Sequence, residues 1–270
     1  MSNCLPERRI RLEVAYRGTH YHGWQHHDGV PTIQGTLETA LERIVGTYTP
    51  IVGSSRTDAG VHALAQTAAF TTTSVIPAAS FVKALNAGLP QDIRVQTAVE
   101  VPLAFHPIDD CVRKKYCYLI DDQPVTSPFL AEYAWSYRLG TLDVEKMHAA
   151  SQFLAGEHDF ASFQSQGAPR RSTVRTVFDV SVKRGACCEL FGISPMYSSR
   201  GISLIVLEIT GSGFLYKMVR TVAGTLVQIG SGQRPIESIV ETLVACDRSK
   251  AGQTAPASGL FLTRISFREK

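Results

Sequence analysis

Asp58 is the only acidic residue between Glu42 and Asp92, and it stands two residues after Arg56 in the run Gly53-Ser54-Ser55-Arg56-Thr57-Asp58-Ala59-Gly60-Val61-His62-Ala63. A single carboxylate beside a guanidinium can act as nucleophile or proton acceptor, and the cation favours its ionised form where water is excluded. The other neighbours are small, so a bulky ligand or a nucleic-acid backbone can approach the main chain closely. Gly60 permits a turn closed to other residues. The commoner use of such residues is an Asx-turn with Arg56 as a solvated cation. This run is longer than an Asx-turn needs, with Asp58, Gly60 and His62 on successive alternate positions, and it leads straight into the strand-like Ala63–Phe70. It is the candidate reactive loop.

Other chemistries find less support. His20, His22, His26 and His27 crowd around Trp24, but no Cys or acid stands at ligand spacing among them, and a loop of partly exposed imidazoles is the expectation. The six cysteines show no Cys-x-x-Cys pair, and adjacent Cys187-Cys188 is a poor disulfide geometry, so reduced thiols are expected. No 18-residue apolar run occurs, and Met1–Arg9 lacks the apolar core of a signal peptide; the expectation is a cytoplasmic protein with no membrane partner. Net charge is +3 and the sequence pI is near 8.5, below the value above about 9 typical of a dedicated nucleic-acid binder. Any RNA contact would depend on local clusters: Arg8-Arg9-x-Arg11, Arg113-Lys114-Lys115, Arg170-Arg171 with Arg175, and Lys183-Arg184. Most such runs are solvated faces.

The elements that must carry the loop follow from periodicity. Ile10, Leu12, Val14 and Tyr16 alternate as in a half-buried strand. Ile33, Leu37, Leu41, Ile44 and Val45 recur at helical spacing after Thr32, a suitable N-cap. Thr49–Val52 and Val61–Thr72 read as strands, Pro77 opens a helix ending near Gly88, and Asp92–Val101 reads as a strand. Strand, helix, strand, strand, helix, strand is the ferredoxin-like split βαβ order, with Asp58 between its second and third strands. The second half repeats the theme. Strands are expected at Val112–Ile120, Glu132–Tyr137, Val174–Lys183, Ile202–Ile209 and Leu260–Phe267. Helices are expected at Asp143–Leu154 (Val144, Met147 and Phe153 inward), at Phe214–Ile229 and from Pro235. Two α+β halves, 1–104 and 105–270, are therefore expected, their mostly antiparallel sheets merged and a cleft between them.

With 270 residues and 44% hydrophobic content the chain can bury such a core. Arg56-Thr57-Asp58-Ala59-Gly60-Val61-His62-Ala63 resembles the signature of the TruA family of tRNA pseudouridine synthases. Tyr21-His22-Gly23-Trp24-Gln25 resembles that family's first-strand segment, and Phe81–Ile93 its Leu-Asn-rich helix ending in Leu-Pro-x-Asp-Ile. Gly211–Arg220 and Ala255–Leu260 are similar to its two C-terminal blocks. Five blocks in order cover nearly the whole chain.

The resemblance implies the pseudouridine synthase fold and isomerisation of uridine to pseudouridine at positions 38, 39 and 40 of the tRNA anticodon stem-loop. It also implies a homodimer and no cofactor. The reaction is redox-neutral and consumes no nucleotide, which agrees with the lack of a phosphate-loop or dinucleotide motif. Asp58 is carried over as the catalytic residue and Arg220 as its ion-pair partner, while Tyr116 of Lys114-Lys115-Tyr116-Cys117-Tyr118 would stack on the target base. Arg56 would contact RNA and help to hold the nucleotide out of the stack; His62 is assigned a structural role. Attack at the sugar, attack at the base and abstraction of a ribose proton all remain open. Two departures stand out: Pro107-Ile108-Asp109-Asp110 replaces a basic, polar run, and Gly185–Gly201 is longer than the usual link. A non-catalytic RRM-like RNA-binding protein is the alternative, and it leaves Asp58 idle. A metal-dependent nuclease would need clustered acids or histidines, and the Asp58 region supplies one acid.

Overall fold

The alternation of Arg8–Tyr16 produces strand β1, in which Ile10, Leu12 and Val14 are buried and the intervening side chains are half-buried. In the computed structural model, residues 5–167, 172–186 and 203–268 are described. Helix α1 (Ile33–Val45) starts where expected, because the Thr32 side chain accepts the Gly35 N–H at 3.3 Å and satisfies a free donor of the first turn. Strand β2 is only Val52–Gly53, shorter than the expected Thr49–Val52; β3 is His62–Thr72, α2 is Ser80–Gly88 and β4 is Ile93–Val101. These elements, with the last strand β10 (Leu260–Phe267), belong to one compact unit, Met1–Val112 with Phe261–Lys270.

Its sheet runs β4-β1-β3, with β2 on β3. The β1–β3, β1–β4 and β2–β3 pairings are antiparallel, whereas β10 runs parallel to β3, with Phe261 opposite His62 and Leu262 opposite Ala63. Strand β3 is thus held by β2 at Ala68–Ala69 and by β10 at its opposite end, next to the Asp58 loop. Phe70 of β3 meets Phe81 of α2 edge-on, with centroids 5.3 Å apart. Asn86 explains part of the Leu-Asn block. Its amide donates to Val95 O at 2.8 Å and accepts from Val95 N at 2.9 Å, acting as a strand partner on β4.

The second unit, Arg113–Leu260, carries the antiparallel order β5-β9-β8-β7. Its strands are β5 (Cys111–Asp121), β6 (Trp135–Ser136), β7 (Gly156–Asp159), β8 (Val174–Ala186) and β9 (Ser203–Gly211). Its helices are α3 (Val144–Gln152), α4 (Met218–Gly230) and α5 (Ser238–Ala245). The expected halves 1–104 and 105–270 do not coincide with these units, since residues 105–112 and the last strand cluster with the first.

Two helix readings differ from the structure. Phe153 is 48% exposed rather than inward, because α3 ends at Gln152 and the helical phase no longer applies; Leu154 takes the buried place. Phe214 precedes α4 rather than lying in it, since Lys217 sits in the left-handed region at φ 58° and delays the first helical residue to Met218. Met218, Val222, Leu226 and Ile229 are buried as read.

The basic runs resolve largely into internal partners. Lys115 and Lys183 flank Glu208, at 2.6 and 3.6 Å, and Arg113 lies over the Phe178 ring at 4.8 Å. Arg8 bridges Glu100 and the carbonyls of Ser74 and Ile76, and Arg11 lies 5.9 Å from the rings of both Phe105 and Phe267. Arg184 clasps the buried Asp122 with two bonds of 2.8 Å. Burial alone raises the Asp122 pKa, but the Arg184 fork and the Leu142 N–H reverse this and hold it below the usual value. Stability from this pair is therefore complete above the unfolded aspartate pKa of about 3.9 and is lost as pH falls through the lower folded value. Asp122→Asn should cost about 2 kcal/mol near neutral pH, and urea melts at falling pH should show that difference shrinking.

Of the segments singled out from sequence, Cys4, Arg170-Arg171 and the Cys187–Gly201 part of the Gly185–Gly201 segment lie outside the described residues. Cys111, Cys117 and Cys246 are thiols. Among the described residues no helix is long and apolar enough to cross a membrane.

Candidate active site

Six main-chain groups around Asp58 are held by named partners. Ser54 N donates to Thr67 O at 2.8 Å. The buried Gln66 amide accepts Ser55 N and donates to Ser55 O, at 3.3 and 2.6 Å. Thr57 O accepts Trp24 N at 3.0 Å, Asp58 O accepts Val61 N at 3.1 Å, and Gly60 N donates to Tyr21 O at 3.2 Å. The Thr57 hydroxyl meets the Tyr16 hydroxyl at 2.8 Å. Ser55 and Thr57 are buried, Arg56 is exposed and Asp58 is half-buried. Such over-determined backbone is what a reactive side chain needs, because misplacement by about 1 Å can cost a hundredfold in rate.

The Tyr21–Gln25 block forms a loop after β1, and it is the brace for this turn. A Cβ on Gly23 (φ +92°) would lie 2.6 Å from Thr57 O, and one on Gly53 would lie 2.4 Å from the Trp24 ring. Only glycine lets the two loops and the buried indole come this close. His62 is buried; its Nδ1 accepts the Gly18 N–H at 3.1 Å and its ring stacks on Phe261 with centroids 4.8 Å apart. An accepting Nδ1 places the neutral ring's proton on Nε2, and the residue serves as a structural link, in line with its assignment. Of the four clustered histidines, His26 sits 2.8 Å from Glu38. Among the described residues no three His, Cys, Asp or Glu side chains converge as metal ligands.

In the second unit Tyr116 of β5 is buried and meets Phe214 edge-on at 5.2 Å. Tyr118 is also buried; its hydroxyl donates to Pro256 O at 2.7 Å. Burial pushes the Tyr118 phenol far up, and the positive charge of Arg220 opposes that shift. Arg220 on α4 is half-buried, and its Nε donates to Ala255 O at 2.8 Å while Ala255 N donates to Arg220 O at 3.1 Å. The two C-terminal blocks are therefore one device: the Ala255-Pro256 carbonyls orient Arg220 and Tyr118. Sequence reading named Arg220 but missed these carbonyls, and it missed Gln66 and Tyr16 in the first unit. A carbonyl is common to every residue, and a buried polar side chain in a strand gives no signal of its partner. The acids of the Pro107–Asp110 departure close a local turn: Asp110 accepts His106 N at 2.9 Å and Asp109 lies 2.8 Å from the His106 ring.

The sequence profile described as tRNA pseudouridine synthase matches residues 13–108 and 150–268. A tRNA pseudouridine synthase A 2 of Clostridium tetani is 40% identical over 262 residues, covering 96% of this chain and 99% of its own length. This chain belongs to the tRNA pseudouridine synthase family. The tRNA pseudouridine synthase A proteins of Brevibacillus brevis and Geotalea uraniireducens are 41% and 39% identical over 260 residues, 96% of this chain and 100% of theirs. The family is one of isomerases, so an enzyme rather than a binding module is the class to which the chain is assigned. Its profile takes in Arg56, Asp58 and Arg220, whereas Tyr116 falls between the two matched stretches.

Proposed function

We propose that this protein converts uridine to pseudouridine in tRNA, at positions 38, 39 and 40 of the anticodon stem-loop, with the Asp58 carboxylate as the catalytic group. The observation that carries the reading is the Asp58 loop itself, a lone acid on a turn whose backbone is held on both sides. In the reaction the bond from ribose C1′ to N1 breaks, a bond from C1′ to C5 forms, the C5 hydrogen leaves as a proton and N1 gains one. Atoms and electrons balance without a cofactor. Attack at the sugar, attack at the base and ribose deprotonation each use an ionised carboxylate.

Arg220 is the cation that accompanies Asp58 in this reading, supported by its anchored Nε. In the same reading Tyr116 stacks on the target base, and Arg56, which is exposed, contacts the RNA and helps to hold the nucleotide out of the stack. The order β4-β1-β3 with β2 on β3 supports a ferredoxin-like first half. A homodimer in the cytoplasm belongs to the same reading. The test is release of tritium from uridine C5 of unmodified tRNA, without added metal or nucleotide. Release by the wild type is the expected result; binding of tRNA with no release would favour an RRM-like RNA-binding protein instead.

A further inference from the structure

The Leu-Pro-x-Asp block ends in Asp92, whose part in the molecule is decided by the first unit's geometry. Asp92 stands at the head of β4, where Ile93 pairs with Tyr16, and its main-chain oxygen accepts Arg17 N at 2.9 Å. Its carboxylate accepts the Tyr21 hydroxyl at 2.8 Å. Burial and this carboxylate push the Tyr21 phenol up, with the Arg17 charge acting the other way, so the hydroxyl keeps its proton and is the donor. The buried Tyr21 is fastened at its main chain too. Its N–H donates to Gly18 O at 2.9 Å, and its carbonyl accepts Gly60 N at 3.2 Å, two residues past Asp58. Gly18 in turn donates to His62. One chain of contacts therefore leads from the head of β4 through Tyr21 to the reactive turn.

We propose that Asp92 and Tyr21 are positioning residues for the reaction: the Asp92 carboxylate anchors the Tyr21 ring, the Tyr21 carbonyl thereby holds the Gly60 N–H, and this sets where the Asp58 carboxylate stands. The inference rests on Asp58 as the reactive group. It gives a role within the first unit to the Asp of the Leu-Pro-x-Asp block. Tyr21→Phe removes a single oxygen and keeps the buried ring, so it loosens the anchor without opening a cavity.

The experiment is steady-state tritium release from tRNA by Tyr21→Phe, Asp92→Ala, Asp92→Asn and the double variant Tyr21→Phe/Asp92→Ala. Tyr21→Phe should lower kcat about tenfold with KM within about twofold, the signature of an interaction that matters in the transition state. Asp92→Ala should do the same, and the double variant should be no slower than Asp92→Ala, because both remove one link. Asp92→Asn keeps an acceptor for Tyr21 and should recover most of the loss. Phe81→Leu, which disturbs the Phe70 contact in the same unit, should lower Tm and leave kcat unchanged. Wild-type kcat in Tyr21→Phe, losses that multiply in the double variant, or a kcat loss in Phe81→Leu matching its fall in Tm would each overturn the inference. Absence of release by the wild type would overturn both this inference and the reaction it rests on, so the two failures are distinguishable.

Discussion

Asp58→Asn is expected to release no measurable tritium from uridine C5, a loss of about ten-thousandfold or more, while still binding tRNA. The substitution changes charge and basicity but little shape. The bonds that hold the turn go to main-chain atoms of Ser54, Ser55, Thr57, Asp58, Gly60 and Val61, so an asparagine leaves the backbone in place. Removing a negative charge near phosphates cannot weaken their electrostatic attraction, so the Kd for tRNA should stay equal or fall. Loss of binding comparable to the loss of release would remove Asp58 from catalysis and make it part of a binding surface. A thermal melt unchanged from wild type would exclude misfolding as the cause.

The second large effect is expected at Arg220. Arg220→Lys keeps the charge yet should lower kcat for tritium release about a hundredfold or more. Arginine offers five N–H donors in a rigid fork, and here Nε is already committed to Ala255 O while the terminal nitrogens lie farther along the side chain. A lysine has one nitrogen at the end of a flexible stem and cannot hold the Ala255 carbonyl and serve a second acceptor with the same geometry. The Tyr118 hydroxyl keeps its bond to Pro256 O in the variant, so folding should lose no more than about 1–2 kcal/mol. A lysine variant within threefold of wild type would show that charge alone suffices and that the anchored fork is incidental. The comparison needs kcat and KM separately, because a change confined to KM would place Arg220 in tRNA binding rather than in the chemical step.

Features that depend on neighbours in sequence were readable in advance. The alternation of β1, the Thr32 cap, the buried stripe of α4 from Met218 to Ile229 and the turn at Asp58 each follow from local residue types and spacing. Readings that required knowing where an element ends were less accurate. Phe153 fell outside α3 and Phe214 outside α4, because one left-handed residue or one lost turn shifts the phase, and intrinsic propensity barely registers either. The four-residue strand β7, Gly-Glu-His-Asp, has no strand-forming residue at all, and its pairing with β8 alone makes it a strand.

By itself the sequence determined the family, the lone carboxylate at Asp58, and the glycines that allow a tight turn around it, since these are properties of a contiguous run. The tertiary structure decided the partners. That Phe261 stacks on His62, that Gly60 gives its N–H to Tyr21, that Arg220 is tied to Ala255 and that Arg184 closes on Asp122 are all contacts between residues far apart in the chain. Carbonyls, amides and cations recur throughout the chain, so residue type leaves many pairings open. Packing selects among them, because a buried polar group must be satisfied by whichever partner the folded path brings within reach.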